Sequence, residues 1–429
     1  MYEFLFDSKF AILLAASLVA GLAATLAGRP GVAWRLLAFN FVPVFAAAYF
    51  VVVPLADRSP PVGDLSAAFA FEFVVLVLLA RLVIDLMDQV RRIDATTARR
   101  ALAWTLAGQL ALAWPLVGTE GFGIFSEGSR IEYLFAGSGG KYLTYGSLLL
   151  GAVQAALLAC RLSAGARPRL LDYTVLGVAF SLSLLSGSKG AFFLWLLTVF
   201  ALVDYRRAQL RVRTVVLGLA ALLAAFLAMA EVLRGILGFT QAEFVELVLN
   251  RFLLSNDARA LALELRSIVG PDAVFWEEAF RSLASLFGTR PVHPPLGVHL
   301  FDLYFGDSAG SGANASLMAL ILFTTAPGDA ALPALVAAGA VFVLFLGVKQ
   351  AARMMPSRLL RLVVTTAGAL TLPIMSQDFL AFQVVMPLIV VSVGLLYLIH
   401  ALRLDLAPLL RARRAGEPLA QRRDPGVGT

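Results

Sequence analysis

EVLRGILGFTQAEFVELVLNRFLLSNDARALALELRSIVGPDAVFWEEAFRSLASLFGTRPVHPPLGVHLFDLYFGDSAGSGANAS, residues Glu231 to Ser316, is the stretch around which the chain is organised. It is not built to sit in a bilayer, whereas the sequence on either side is. It carries six arginines (Arg234, Arg251, Arg259, Arg266, Arg281 and Arg290) and two of the three histidines, interleaved with acids and aromatics.

Outside this stretch, apolar runs of 17 to 25 residues recur, each long enough to cross a hydrocarbon core of about 30 Å. The chain is 60% hydrophobic and 15% charged, with a mean hydropathy of +0.84, whereas a soluble domain carries about a quarter charged residues. These values imply an all-α, polytopic helical bundle. The opening MYEFLFDSK is weakly acidic and no small-residue cleavage site follows, so the first run reads as a span and not a signal peptide. The net charge of +7 does not imply nucleic acid, because the basic residues sit in short clusters between apolar runs, where they set orientation. Cys160 stands alone in an apolar run, which excludes an intramolecular disulfide and a cysteine metal site and leaves small buried packing.

Eleven spans are predicted, at 9–27, 34–54, 66–87, 101–118, 142–162, 172–187, 190–204, 214–231, 330–348, 359–375 and 379–400. The connections alternate in charge. One set holds Arg29 and Arg35, Arg91 to Arg100, Arg161 to Arg169, Arg206 to Arg213, Lys349 to Arg361, and the tail from Arg403. The other holds Arg58, Arg130, Lys141, Lys189 and the long loop. Roughly 23 basic residues against about 11 makes the first side cytoplasmic, the N-terminus outside and the C-terminus inside. The domain layout is then an N-terminal bundle (1–230), an extracytoplasmic loop (231–329), C-terminal membrane helices (330–402) and a cytoplasmic tail (403–429) ending in a polar, disordered segment.

Within the loop the 3.6-residue period returns. QAEFVELVLNRFLL, NDARALALELRSIV and PDAVFWEEAFRSLASLF each read as a short amphipathic helix, the second capped by Asn256 or Asp257. Such helices lie across the outer mouth of a bundle with their apolar faces down. After Asn314, the run SLMALILFTTAPGDAALPAL is broken at Pro327 and Gly328, which predicts a re-entrant segment or an interrupted helix lining a cavity.

Three constellations could carry chemistry. Arg259 and Arg266, seven apart on one predicted helix, share a face, and arginine's planar fork suits phosphate oxygens; the alternative is solvated pairing with Glu264, Asp257 or Glu278. Ser186-Gly187-Ser188-Lys189-Gly190, at the junction of two apolar runs, offers backbone N–H groups and a cation to one small volume: a phosphate nest, or a tight hairpin with a snorkelling lysine. His293 and His299 with Asp302 and Asp307 supply a general base and an orienting carboxylate, or are ordinary loop residues. The histidine spacing fits no standard metal set. Gly137-Ser138-Gly139-Gly140-Lys141 is followed by Tyr142 and lacks the first glycine of a phosphate-binding loop, and Asn314-Ala315-Ser316 matches a glycosylation acceptor only as short patterns do by chance. Glu72 lies inside a predicted span, where an ionisable group is costly and by default functional. Arg81 and Asp85, four apart on that span, are expected to pair.

The many spans, the SGSKG turn, the large late outer loop and the SGANAS–TAPGDAALP segment together resemble the Wzy-type O-antigen polymerases, the oligosaccharide repeat-unit polymerases of bacterial inner membranes, GT-C-like glycosyltransferases related to the O-antigen ligases. The family's outer loops carry an Arg-x10-Gly pattern. Arg259 and Gly270 meet it, whereas Arg130 and Gly140 miss by one residue, and Lys189 stands where arginine is common.

The resemblance implies transfer of a glycan from undecaprenyl pyrophosphate to a sugar hydroxyl of a second lipid-linked repeat unit, at the periplasmic face of the inner membrane. Lys189, Ser188, Arg259, Arg266 and Arg290 would hold the diphosphate, and His299 or Asp302 would take the acceptor proton with Glu72 in reserve. Lipid-linked oligosaccharides and a chain-length regulator protein are the implied partners, with no cofactor, metal or nucleic acid. Two other readings remain open: an O-antigen ligase, with lipid A core as acceptor, and a flippase or transporter of lipid-linked oligosaccharide. Against transport, the sequence has no inverted repeats and its outer loop is long.

Overall fold

The computed structural model describes residues 62–120, 140–185, 189–204, 294–305, 315–377 and 379–414, together with positions 22, 23, 28, 207, 208, 220, 224, 231, 240, 258, 261, 262, 265, 266, 275 and 277–281. The predicted spans 9–27, 34–54 and 214–231 and the outer segment 241–254 lie, but for isolated positions, outside these residues. What is described is helical: α1 (Val62–Val90), α2 (Ala95–Glu120), α3 (Gly140–Ser163), α4 (Leu170–Leu185), α5 (Lys189–Leu202), α6 (Leu296–Phe305), α7 (Leu317–Thr324), α8 (Ala331–Met354), α9 (Arg358–Gln377) and α10 (Phe379–Arg414). No strand occurs among the described residues. Among the described residues, four stretches are long and apolar enough to cross a membrane: Ser66–Val90, Thr144–Ser163, Ala331–Met354 and Arg358–Met375.

Helix α1 is the axle of the bundle. It packs against α8, α9 and α3, and its residues Phe71, Val75, Leu79, Leu82 and Leu86 are almost fully buried. An α-helix apolar on every side is one surrounded by protein or lipid, and α1 takes the first course. Helix α8 differs: Leu335, Val336 and Val343 are each at least 65% exposed, a contiguous apolar face of the kind that soluble surfaces avoid.

Five polar contacts fix the register of α1 against α8 and α9. Asp64, in the first turn of α1, accepts from the backbone N–H groups of Gly328 and Ala330 at the head of α8, at 2.9 and 3.1 Å. Asp85, late in α1, pairs with Lys349, late in α8, at 2.9 Å. The two helices therefore run parallel. Gln89 Nε2 donates to Thr365 Oγ1 at 2.9 Å and Arg358 to the Arg92 carbonyl at 3.3 Å, which sets α9 antiparallel to α1. Gly368 lets α9 approach α8: a Cβ there would lie 2.3 Å from Val348 Cγ1. In α2 and α3, Gln154 Nε2 donates to Gln109 Oε1 at 2.8 Å across the pair, so two amides that the apolar setting would otherwise leave unsatisfied meet each other.

The helix ends sort by charge. Arg91, just past α1, reaches Asp204 after α5 at 3.2 Å, and Asp204 N donates to Ser163 Oγ at the end of α3 at 2.9 Å. Arg161 pairs with buried Asp172 of α4, whose other oxygen accepts the Arg169 N–H at 2.8 Å. The connections bearing Arg91 and Arg92, Arg161 to Arg169, and Arg353 to Arg361 thus gather at one end of the bundle. At that end Asp94 caps α2, accepting from the N–H groups of Thr96 and Thr97 at 3.0 and 2.8 Å. The Thr97 hydroxyl and N–H hold its carboxyl below the usual 3.8.

Helix α10 continues to Arg414, past the predicted boundary at 400, because ALRLDLAPLLRARR is made largely of good helix formers. Its first residues, to Val385, belong with the bundle, and Met386 onward forms a separate compact unit. Cys160 is fully buried in α3.

Candidate functional site

At the end of the bundle opposite the arginine-rich turns, the segment that precedes α6 is fastened to the helices. Its described residues Ala258, Leu261, Ala262, Leu265 and Arg266 follow the i, i+3, i+4, i+7, i+8 spacing of one helical face, and all five are buried. These described positions of the predicted second amphipathic helix thus face inward, and Arg266 is among them.

Arg266 is 3% exposed and Asp64 is fully buried. Nη2 meets Asp64 Oδ2 at 2.5 Å and Nη1 donates to the Leu322 carbonyl at 3.1 Å. Asp64 completes its shell with the Gly328 and Ala330 N–H groups. Gly328, at φ +93°, makes the turn that aims both N–H groups at the carboxylate, a conformation glycine adopts without Cβ strain. One guanidinium and one carboxylate so close, each with further hydrogen bonds, form the kind of buried pair whose desolvation is offset. The charge of Arg266 is committed to Asp64, and its Nε alone has no hydrogen-bond partner. A phosphate would meet a neutralised clasp there, so the residue's work in the fold is to tie its own segment to α1, α7 and the α7–α8 turn.

Helix α7 is the interruption that Pro327 and Gly328 foretold. Met318 to Phe323 are all buried, Ser316 Oγ caps the helix by accepting from Ala319 N at 3.0 Å, and Thr325 ends it. Eight residues give about 12 Å of helix, less than half a hydrocarbon core. The chain then restarts as α8.

His299 and Asp302 are not on a loop. They sit three apart on α6, one above the other on a helical face. The signal was present: Pro294-Pro295 precede an apolar run, and proline is favoured at helix starts. Pro295 O accepts from Val298 and His299 N–H at 2.8 and 2.9 Å. The start of α6 is held by Glu278, whose Oε1 accepts the Leu296 N–H at 3.1 Å, a carboxylate at a helix N-terminus. Arg281 braces that carboxylate at 2.6 Å and donates to the Pro294 carbonyl at 3.0 Å. Gln383 of α10 donates to the Glu278 carbonyl at 2.6 Å. The sequence offered no pairing for Glu278 and Arg281 beyond their i, i+3 spacing.

The His299 ring stands edge-on to Phe323 with centroids 6.1 Å apart. Arg266 and His299 therefore engage successive residues of α7, Leu322 and Phe323. Glu72 is fully buried in α1, eight residues and about 12 Å further along the helix than Asp64. Lys189 opens α5. Ser188, Arg259 and Arg290 lie outside the described residues, and so do His293 and Asp307. No family model, curated protein or solved structure matches the chain.

Proposed function

We propose that the chain is a membrane glycosyltransferase that polymerises oligosaccharide repeat units of O-antigen type at the periplasmic face of the bacterial inner membrane, in an eleven-span, N-out, C-in topology. The observation that carries this reading is the fastening of the outer segment. Arg266–Asp64 and Arg281–Glu278 are buried ion pairs, and between them they hold α6, with His299 and Asp302, against α7. A segment so fixed is a built surface, suited to keeping a base in place beside lipid-linked substrates.

In the proposed reaction the bond between the anomeric carbon of the donor glycan and the pyrophosphate oxygen breaks. A hydroxyl of the acceptor repeat unit forms the new glycosidic bond, its proton passes to His299 or Asp302, and undecaprenyl pyrophosphate leaves with the negative charge. Lys189, Ser188, Arg259 and Arg290 are proposed to receive that charge, with Glu72 a reserve base. Arg266 supports them by position, since Asp64 already neutralises it.

A transporter of lipid-linked oligosaccharide is the second reading, favoured by one observation: the α7–α8 break resembles the discontinuous helices that line transport sites. Deleting the gene in its host and reading the lipopolysaccharide ladder separates the readings. Loss of long chains with single-repeat-capped core retained supports the polymerase; loss of every repeat supports a ligase or a transporter.

A further inference from the structure

The turn between α3 and α4, at the arginine-rich end of the bundle, is held firmly from beneath. Its base is the buried pair Arg161–Asp172. Gly165, at φ +73°, bends the chain; its N–H donates to the Leu162 carbonyl at 3.0 Å, and Ala166 N donates to the Arg161 carbonyl at 3.1 Å. Arg167 precedes Pro168, which restricts the backbone of both residues. Arg169 closes the turn by donating its N–H to Asp172 at 2.8 Å.

On this frame stand two exposed arginines, Arg167 and Arg169. The one carboxylate of the turn, Asp172, is buried and committed to Arg161 and to the Arg169 N–H. Two positive charges are therefore left facing outward. Directly after them Leu170 is 81% exposed and Tyr173 59% exposed. Gly177, four residues beyond Tyr173, is exposed on the same face of α4. It leaves an open notch there, since a Cβ would meet nothing within 4 Å.

That order along one helix face, two cations, a leucine, a tyrosine and a notch, matches the layers of a lipid leaflet. Helix α4 has 16 residues, about 24 Å, against a hydrocarbon core of about 30 Å. An apolar helix that falls short of the core is accommodated by flanking side chains that reach out to the headgroups. Leu170 and Tyr173 then stand at the hydrocarbon boundary, where tyrosine is favoured, and the two arginines stand at the phosphate plane. An acidic protein would answer the charges but not the exposed apolar side chains and the notch beneath them.

We propose that the α3–α4 turn binds an anionic phospholipid. The headgroup phosphate sits between Arg167 and Arg169, and one acyl chain passes Tyr173 into the notch at Gly177. Guanidinium forks suit phosphodiester oxygens, and basic residues beside a membrane helix attract anionic headgroups. The site is independent of the glycan chemistry and stands whether or not the protein is a transferase.

The test is native mass spectrometry of the full chain purified in detergent and titrated with phosphatidylglycerol or phosphatidylcholine. Each basic residue at a phosphate plane contributes about fivefold, so the wild type should retain its first phosphatidylglycerol about 25-fold more tightly than phosphatidylcholine. Arg167→Gln should lower that preference by about fivefold, and Arg167→Gln/Arg169→Gln should abolish it. Arg167→Lys/Arg169→Lys, which keeps the charges, should retain most of it. Gly177→Leu, which fills the notch without a clash, should weaken retention of phosphatidylglycerol several-fold. Arg99→Gln/Arg100→Gln, exposed on α2, should leave the preference intact. Equal retention of the two lipids, a preference unchanged in the Arg167/Arg169 neutral pair, or an equal loss in the Arg99/Arg100 pair would overturn the proposal. So would retention unaffected by Gly177→Leu, or displacement of the lipid by inorganic phosphate alone, which would make the turn a free-anion site.

Discussion

The Arg266–Asp64 pair is where the fold can be broken most selectively. Replacing Arg266 by Met leaves a carboxylate in a site with no solvent access, still holding the Gly328 and Ala330 N–H groups. Replacing Asp64 by Leu leaves a guanidinium with the Leu322 carbonyl as its one remaining partner. Losing one member of a buried pair costs about 3–5 kcal/mol. The inventory of remaining bonds ranks the two, because Asp64 keeps two donors and Arg266 keeps one acceptor. One hydrogen bond to a charged group is worth about 1.5–3 kcal/mol, so Asp64→Leu should be the more damaging single change. The double variant should fall short of the sum of the singles by about 2 kcal/mol or more. Reversible unfolding in mixed detergent micelles, followed by tryptophan fluorescence, gives all four corners of the cycle. Additive effects, or single losses below about 0.5 kcal/mol, the scale of an exposed pair, would refute the reasoning.

Three further perturbations have defined outcomes. Gly368→Ala places a methyl against the branched Val348 side chain, whose Cβ is itself 3.1 Å away, so rotation cannot clear it. A loss of about 1–3 kcal/mol is expected in the same unfolding assay, reversed in large part by Val348→Ala. Asp94 has a folded pKa depressed by the Thr97 hydroxyl and N–H, so its contribution is fully present above the unfolded value. It fades as pH falls through the lower, folded one. The stability gap between wild type and Asp94→Ala should be constant near neutrality and close below about pH 4, whereas a gap that widens in acid would contradict the capping geometry. Glu278→Gln removes the carboxylate charge that Arg281 braces and that seats the start of α6. It should lower glycan transfer at least tenfold through misplacement of His299, about 1.4 kcal/mol of barrier, while the fold persists by circular dichroism.

Much of the bundle was legible because apolar run length and helix length are the same physical requirement. The predicted spans 66–87, 142–162, 172–187 and 359–375 fall on α1, α3, α4 and α9 to within four residues at each end. The α7–α8 break was legible for an equally local reason, a proline and a glycine in an otherwise unbroken apolar run. Partners were not. Asp85 meets Lys349 across more than 260 residues of sequence, and Arg266 meets Asp64 across 202; nothing local announces either. An arginine read by type alone suggests a phosphate ligand, and only the fold reveals that its charge is already met. Helix α6 was missed because the proline pair before it reads equally well as a turn, and its ten residues are too few for periodicity to dominate.

The central claim is glycan transfer, and reconstitution tests it directly. The purified chain in liposomes, supplied with undecaprenyl-pyrophosphate-linked repeat units, should yield lengthening glycans on lipid with one undecaprenyl pyrophosphate released per linkage formed. His299→Ala/Asp302→Ala should abolish both. Passage of intact lipid-linked oligosaccharide to the other leaflet with no pyrophosphate released, or chain transfer only when lipid A core is added, would contradict it.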